Sequence, residues 1–337
     1  MMYKGFRIWG VLMVGILTLP LFTSCNKPTE DVLVGNWVKL SDFDGIPRSD
    51  AVGFSIGTKG YLGTGYDGSG RLSDFWEYDP VRNAWTQKAD VPDPARNGAI
   101  GFGTDTKGYI GTGFDGKNRL GDFYEYDPAL NTWTRKADFA GSVRYGAVAF
   151  ALNNKGYVGT GYDLNYLKDF WEYDPASDTW TQKTSIGGSK RRDAACFTVN
   201  GKAYILTGLD NGIYLSDLWE YEPGSDTWTK KRAIANVTDE TFDDKYTTIT
   251  GIGKVGFGVN GKGYLATGGQ TTGSDCWEYN PTTDVWTEKT PFEGTIRADG
   301  VGFTIGNRGY VTTGRSGTFY FDDIWALDPD ATYDKND

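Results

Sequence analysis

The chain has 337 residues, a formal net charge of −10, 15% aromatic residues, 47 glycines and no histidine. Without histidine, Ser-His-Asp and Cys-His catalysis, His-ligated zinc or copper and imidazole switching near neutral pH are excluded. The acidic balance, with no recurring basic patch, argues against nucleic acid as a partner and points to a soluble, self-repelling chain; a monomer without a cofactor is expected.

At the amino end, Lys4 and Arg7 precede an apolar run over residues 8–22, followed by Thr23, Ser24 and Cys25. A charged start, a short apolar stretch and small residues before a cleavage point predict an export signal over residues 1–24, and the run is too short and interrupted for a membrane span. Leu21-Phe22-Thr23-Ser24-Cys25 resembles a bacterial lipobox, which implies that Cys25 is lipidated and that residues 25–35 are a polar tether. Asn26 after the cysteine resembles the sorting signal for the outer membrane of a Gram-negative cell, so the expected membrane contact is the lipid anchor alone, on the periplasmic or the outward-facing side.

Six Thr-Gly steps then mark six similar units, at Thr64, Thr112, Thr160, Thr207, Thr267 and Thr313. A period of about 48 residues signals stacked supersecondary units. In the unit at residues 144–183, an apolar run at 145–152 predicts a first strand, 155–161 a second, the alternating 169–174 a third ended by Pro175, and 179–183 a fourth. Four antiparallel strands per unit predict the blade of a β-propeller. The fourth strands end on Lys88, Lys136, Lys183, Lys231 and Lys289, a placement expected to protect an edge from pairing.

The spacing between units gives the blade count. A fourth-strand Trp precedes the next first-strand Phe by 17 residues at Trp85–Phe102, Trp133–Phe150, Trp180–Phe197 and Trp286–Phe303, and also at Trp37–Phe54. Trp37 therefore belongs to a fourth strand with no strands before it, while the last unit, ending at Pro329, lacks its own fourth strand. The prediction is an all-β, six-bladed propeller over residues 36–329, closed by residues 36–40, with a tail at 330–337. The interval Trp228–Phe257 is longer by 12 residues, which marks an insertion over residues 232–251. Cys196 and Cys276 read as small buried apolar residues, without a disulfide.

The glycine that ends each second strand, the Tyr78-Asp79-Pro80 type of turn and the Trp85 type that follows resemble the kelch repeat, over about residues 36–329. Thr-Gly mostly stands where that family has a glycine pair. The repeat style also resembles exported bacterial proteins called galactose-oxidase-like, but a copper–radical oxidase needs histidine ligands that this chain lacks. A more distant resemblance is to the kelch-type sialic acid mutarotases of the bacterial periplasm; none of their acid–base residues is transferred to a position here.

The candidate site follows from the strand order, because the connections from strand four to strand one and from strand two to strand three open on one face. Arg48, Arg96, Arg144, Arg191 and Arg297 each stand six residues before a first-strand Phe, with Gly251 in the fifth unit. Two residues later come Asp50, Gly98, Gly146, Asp193 and Asp299. Two readings stand together: a repeated arginine bonding the carbonyls of neighbouring loops, or a ring that grips carboxylates and vicinal hydroxyls of a ligand. After the Thr-Gly steps, Tyr66, Phe114 and Tyr162 are candidates for stacking on sugar, and Asp67, Asp115 and Asp163 read as turn residues. The loop at 67–74 suggests calcium superficially but lacks the spaced acidic ligands, so no metal is expected. The expected function is non-catalytic binding of a carbohydrate or a protein at the channel mouth. The alternative is a sugar mutarotase or epimerase of the sialic acid type, with Glu240 or Asp243 of the insertion as acid–base.

Overall fold

A computed structural model of the chain describes residues 34–236, 238–239, 241–248, 250–268 and 274–335, with 1, 2 and 5 at the amino end. The chain divides into Met1–Val32 and Leu33–Asp337. The rest of the expected signal, Cys25, the tether at 25–33 and Glu240 lie outside the described residues. Among those described, no helix is long and apolar enough to cross a membrane.

The larger unit consists of six four-stranded antiparallel sheets and two short two-stranded ones. The third blade shows how sequence becomes structure. Its strands are Val148–Leu152, Lys155–Gly159, Phe170–Asp174 and Thr179–Lys183, paired in sequence order. The first strand starts three residues later than its apolar run suggests, because Arg144 and Tyr145 are used by the mouth. Val148, Phe150 and Leu152 are buried, whereas Ala149 and Ala151 line the central channel with the other small first-strand residues. Cys196 is one of these channel residues, while Cys276 is fully buried as expected; both thiols are free.

Blades pack through aromatic rings. Tyr173 meets Tyr109 at 5.6 Å and Phe123 at 4.8 Å in the preceding blade. The glycine of each Lys-Gly-Tyr exists for this packing: a Cβ at Gly156 would come within 2.0 Å of Phe102. Polar ties follow the same direction, with Trp180 Nε1 donating to the Ala137 carbonyl at 3.1 Å and the Ala137 amide donating to Asp178 at 3.0 Å.

The ring closes as predicted. Val34–Lys39 is the outer strand of the last blade, pairing Trp37 with Leu327, and Trp37 is fully buried. The last blade's third strand, Ile324–Thr332, does not stop at Pro329 as the tail assignment supposed. Its register with the closing strand shifts between Val34 and Asn36, a bulge that accommodates the proline, and the Asp334 amide donates to Asn36 at 2.7 Å.

The fourth-strand lysines are not solvent-facing guards. Lys88, Lys183 and Lys289 reach Glu77, Glu172 and Glu278 of the neighbouring strand at 3.3, 3.7 and 3.0 Å. The second-strand Tyr61, Tyr157 and Tyr264 hydroxyls donate to the same carboxylates. The repeated Lys and Glu are cross-strand partners within each blade.

Candidate functional site

On the face reached by the four-to-one and two-to-three connections, the five repeated arginines lie beneath the surface. Arg48, Arg96, Arg144 and Arg191 are 0% exposed and Arg297 is 1% exposed. Each side chain is held by its own blade. Arg144 donates to the Thr160 carbonyl at 2.8 Å, to both Asp169 carboxylate oxygens at 2.7 Å and to the Ser142 carbonyl at 2.9 Å. Arg48, Arg96 and Arg297 likewise fork onto Asp74, Asp122 and Asp323, while Arg191 makes a single contact with Asp217. The paired arginines hold the Asp217 and Asp323 carboxyls below their ordinary range against burial, which acts the other way. The backbone joins in: the Gly113 and Gly161 amides donate to the Arg144 and Arg191 carbonyls of the following blade at 2.8 and 2.7 Å.

These guanidinium groups are enclosed and occupied, so the expectation that Arg48, Arg96, Arg144, Arg191 and Arg297 grip a ligand is corrected. They pin the Thr-Gly turn to the Asp before the third strand. The turn needs that support, because all six threonines have positive φ, between 54° and 62°, a region that opposes β-branched residues. In the fifth blade the Gly208 amide donates to the Gly251 carbonyl, so Gly251 does occupy the arginine's place in the backbone. The missing cation is supplied three residues on by Lys254, whose Nζ donates to the Thr267 carbonyl at 3.1 Å. Burial pushes this lysine down to about 8, with Asp275 opposing the shift.

Above this layer lies a collar. Asp50, Gly98, Gly146, Asp193, Gly253 and Asp299 all have φ between 52° and 66°. That conformation explains the restriction to Asp and Gly, since a short polar side chain tolerates the left-handed region. Amide-to-carbonyl bonds run from blade to blade: Asp50 to Asp299, Gly98 to Asp50, Gly146 to Gly98, Asp193 to Gly146 and Asp299 to Gly253, at 2.9 to 3.0 Å. The three carboxyls are brought within electrostatic reach of one another by this ring of bonds. Asp193 Oδ1 lies over Gly146 and Asp299 Oδ1 over Gly253, where a Cβ would collide at 2.4 and 2.3 Å. Burial, with Asp299 and Asp50 nearby, pushes Asp193 up to about 7, while Arg192 pulls it down. Burial and Asp299 push Asp50 up to about 6, against a hydrogen bond from Ser49.

The aromatic candidates form the outer tier. Tyr66, Phe114 and Tyr162 are half-buried and bridge, blade by blade, to Ser49, Asn97 and Tyr145 on one side and to Arg71, Arg119 and Tyr166 on the other. The rings continue from Tyr320 to Tyr66, from Phe114 to Tyr145, and through Tyr162 to Tyr166, with centroids 5.2 to 6.2 Å apart. Arg71 sits over Tyr66 and Phe114, and Arg119 and Arg192 over Tyr145 and Tyr162. Asp67, Asp115 and Asp163 accept amide bonds from the residues after them, the turn role expected of them. On the other side of the mouth, a cavity of about 360 Å³ is lined by Ile252, Ile296, Arg297, Ala298, Asp299 and Arg315, among others.

The insertion folds inward. Tyr246, on the 3-10 helix Thr241–Thr248, is fully buried, donates to the Trp286 carbonyl at 2.7 Å and packs on Trp277 at 5.3 Å. Asp243 is 1% exposed and accepts bonds from the Thr238 amide and hydroxyl at 3.0 Å. It closes the turn before the helix and is shut off from solvent, so it is not available to a ligand as an acid–base, which corrects that candidate.

Comparison with known proteins agrees with this geometry. The Kelch motif profile matches residues 190–232, the fourth blade, whose pattern the other five repeat. The chain thus carries a Kelch motif in one blade of a six-bladed propeller. The solved structure of YjhT superposes with a TM-score of 0.70 at 18% identity, covering 85% of this chain and 95% of that one. At that identity the likeness speaks for the fold. No curated protein matches.

Within this propeller, sequence reasoning missed Arg71, Arg119, Arg192 and Arg315, the arginines that reach the surface of the mouth. Their signal was present. Arg71 and Arg119 share one place in the loop of the first two units and give way to Tyr166, Tyr214 and Tyr320 later. Such a departure from repetition marks residues the fold does not require.

Proposed function

We propose that the protein is a binding module for carbohydrate, held at the mouth of the propeller, without chemistry on its ligand. One observation carries this reading: the half-exposed rings of Tyr66, Phe114, Tyr145 and Tyr162 run in a single arc beside the carboxylates of Asp50, Asp193 and Asp299. Ring faces pack on the C–H faces of sugars, and carboxylates accept their hydroxyls. A thermal-shift screen of the mature chain against neutral and acidic sugars tests this, since a ligand of the folded state raises the melting point. No shift with any sugar favours a protein partner at the same face.

A second reading, a mutarotase of the sialic acid type, is favoured by the two collar carboxyls held near neutrality. A group that ionises close to the working pH can both give and take a proton. Its acid–base would be Asp193 or Asp50. Anomeric exchange followed by NMR, with an Asp193→Asn control, decides it: exchange no faster than in buffer removes the enzyme. We further propose export and lipid anchoring at Cys25, supported by the sequence of residues 1–25; labelling with a fatty acid that is lost in Cys25→Ser tests it.

A further inference from the structure

We propose that Arg71 and Arg119 form a two-point anion subsite on the aromatic arc, which selects an oligosaccharide carrying acidic groups on neighbouring sugars. The inference rests on the carbohydrate reading above and narrows its ligand.

The arginines of the mouth differ in what they touch. Arg192 has Asp193 at 3.5 Å and the Tyr145 hydroxyl at 3.3 Å; Arg315 forks onto Asp299 at 3.0 Å. Arg71 and Arg119 meet no carboxylate among the described residues. Scarcity of acid is not the cause, since the chain has 44 acidic against 34 basic side chains. Asp115 feels the charge of Arg71, but its oxygens are taken by the Lys117 and Asn118 amides and the Asn118 side chain.

Both guanidinium groups are nonetheless held in place. Arg71 lies 5.1 Å from the Tyr66 ring and 5.2 Å from Phe114; Arg119 lies 5.7 Å from Tyr145 and 5.4 Å from Tyr162. Ring faces fix the plane of the fork and leave its N–H edges open. Arg71 Nε donates to Asn97 at 3.1 Å. In the next blade Tyr145 stands in the place of Asn97, so the equivalent Arg119 Nε finds a ring face and no acceptor; it is shielded from water and unbonded. The Arg119 guanidinium, fixed by stacking on a partly exposed residue and given no carboxylate, has its terminal N–H groups left to meet the oxygens of something else. Because the two arginines occupy one position in successive blades, two anionic groups in sequence match them better than one.

The test measures binding to the intact mature chain of three probes: a galacturonate tetrasaccharide, its uncharged methyl ester and tripolyphosphate. The acid form is expected to bind at least about 10-fold more tightly than the ester. Arg71→Gln and Arg119→Gln should each remove that difference. Arg119→Lys keeps the charge without the planar fork and should also lose most of the preference for acid. Both arginines are half-exposed, so melting temperatures should stay at the wild-type value. Equal binding of acid and ester, indifferent to the variants, overturns the subsite and leaves the carbohydrate reading standing. Binding of tripolyphosphate alone, lost in both glutamine variants, upholds the anion subsite and overturns the carbohydrate reading. Binding of none of the three overturns both.

Discussion

Arg144 and Arg119 stand on adjoining connections of one propeller face, the first fully buried and the second half-exposed. Arg144 has every direction of its fork occupied by Asp169, the Thr160 carbonyl and Ser142, while Arg119 has rings on its faces and no acceptor at its edges. The first type recurs in five blades and the second in two. Repetition in a propeller reports the work of joining blades, which every blade needs. A residue freed from repetition can answer to a ligand, which only one side of the mouth has to meet.

The largest effect should come from removing what joins the ring. Deleting residues 34–39 takes away the outer strand of the last blade and the buried Trp37, and the cooperative thermal transition should disappear. The point substitution Trp37→Ala should cost about 3–5 kcal/mol in denaturant unfolding. An unchanged midpoint would mean that the ring is not closed through this strand.

Next is the buried tier. Arg144→Ala leaves the Asp169 carboxylate without its partner in a site largely closed to water, and should cost about 3–5 kcal/mol by chemical denaturation. A variant of wild-type stability would return the buried arginines to the list of ligand contacts.

The collar should respond in the opposite sense. The Asp193 carboxyl is raised to about 7 in the folded state, so the native protein holds a proton that the unfolded chain releases near pH 4. Stability from this group is greatest below pH 4 and falls as pH rises toward 7. Asp193→Asn, which also tolerates the residue's positive φ, should therefore stabilise the protein at pH 7.5 by about 1–2 kcal/mol and flatten the pH dependence between 4 and 7. Melting curves across that range check it; a steeper dependence in the variant would contradict the assignment. The smallest effect belongs to the upper tier, where Arg119→Gln should change stability by less than about 0.5 kcal/mol, the usual range for surface positions.

Much of this was legible in the chain. The 17-residue spacing at Trp37–Phe54 revealed the closing strand, because a residue count along a repeat is a count of blades. The collar positions Asp50, Gly98, Gly146, Asp193 and Asp299 were located by their spacing from each arginine, but the positive φ that restricts them to Asp and Gly was read only from the backbone. The buried arginines were located and one of their roles misassigned. Their partners Asp74, Asp122 and Asp169 lie 26, 26 and 25 residues away on another loop, and spacing cannot tell whether a guanidinium points at that loop or at solvent. The insertion looked like a polar loop because its anchor is one tyrosine, Tyr246, whose burial depends on a gap beside Trp277 and Trp286.

The sequence by itself determined the repeat, the number of blades, their order and the closure of the ring. These follow from local strand patterns and from the covalent spacing between them, which no packing can change. Only the tertiary structure decided which arginines are enclosed scaffold and which reach the surface of the mouth, where Lys254 stands in for a missing arginine, and that Asp243 holds a turn. Those outcomes depend on what surrounds each charge. A guanidinium enclosed by a carboxylate and carbonyls pins the turn of its own blade, and the same group between two rings stays at the surface without a carboxylate partner among the described residues.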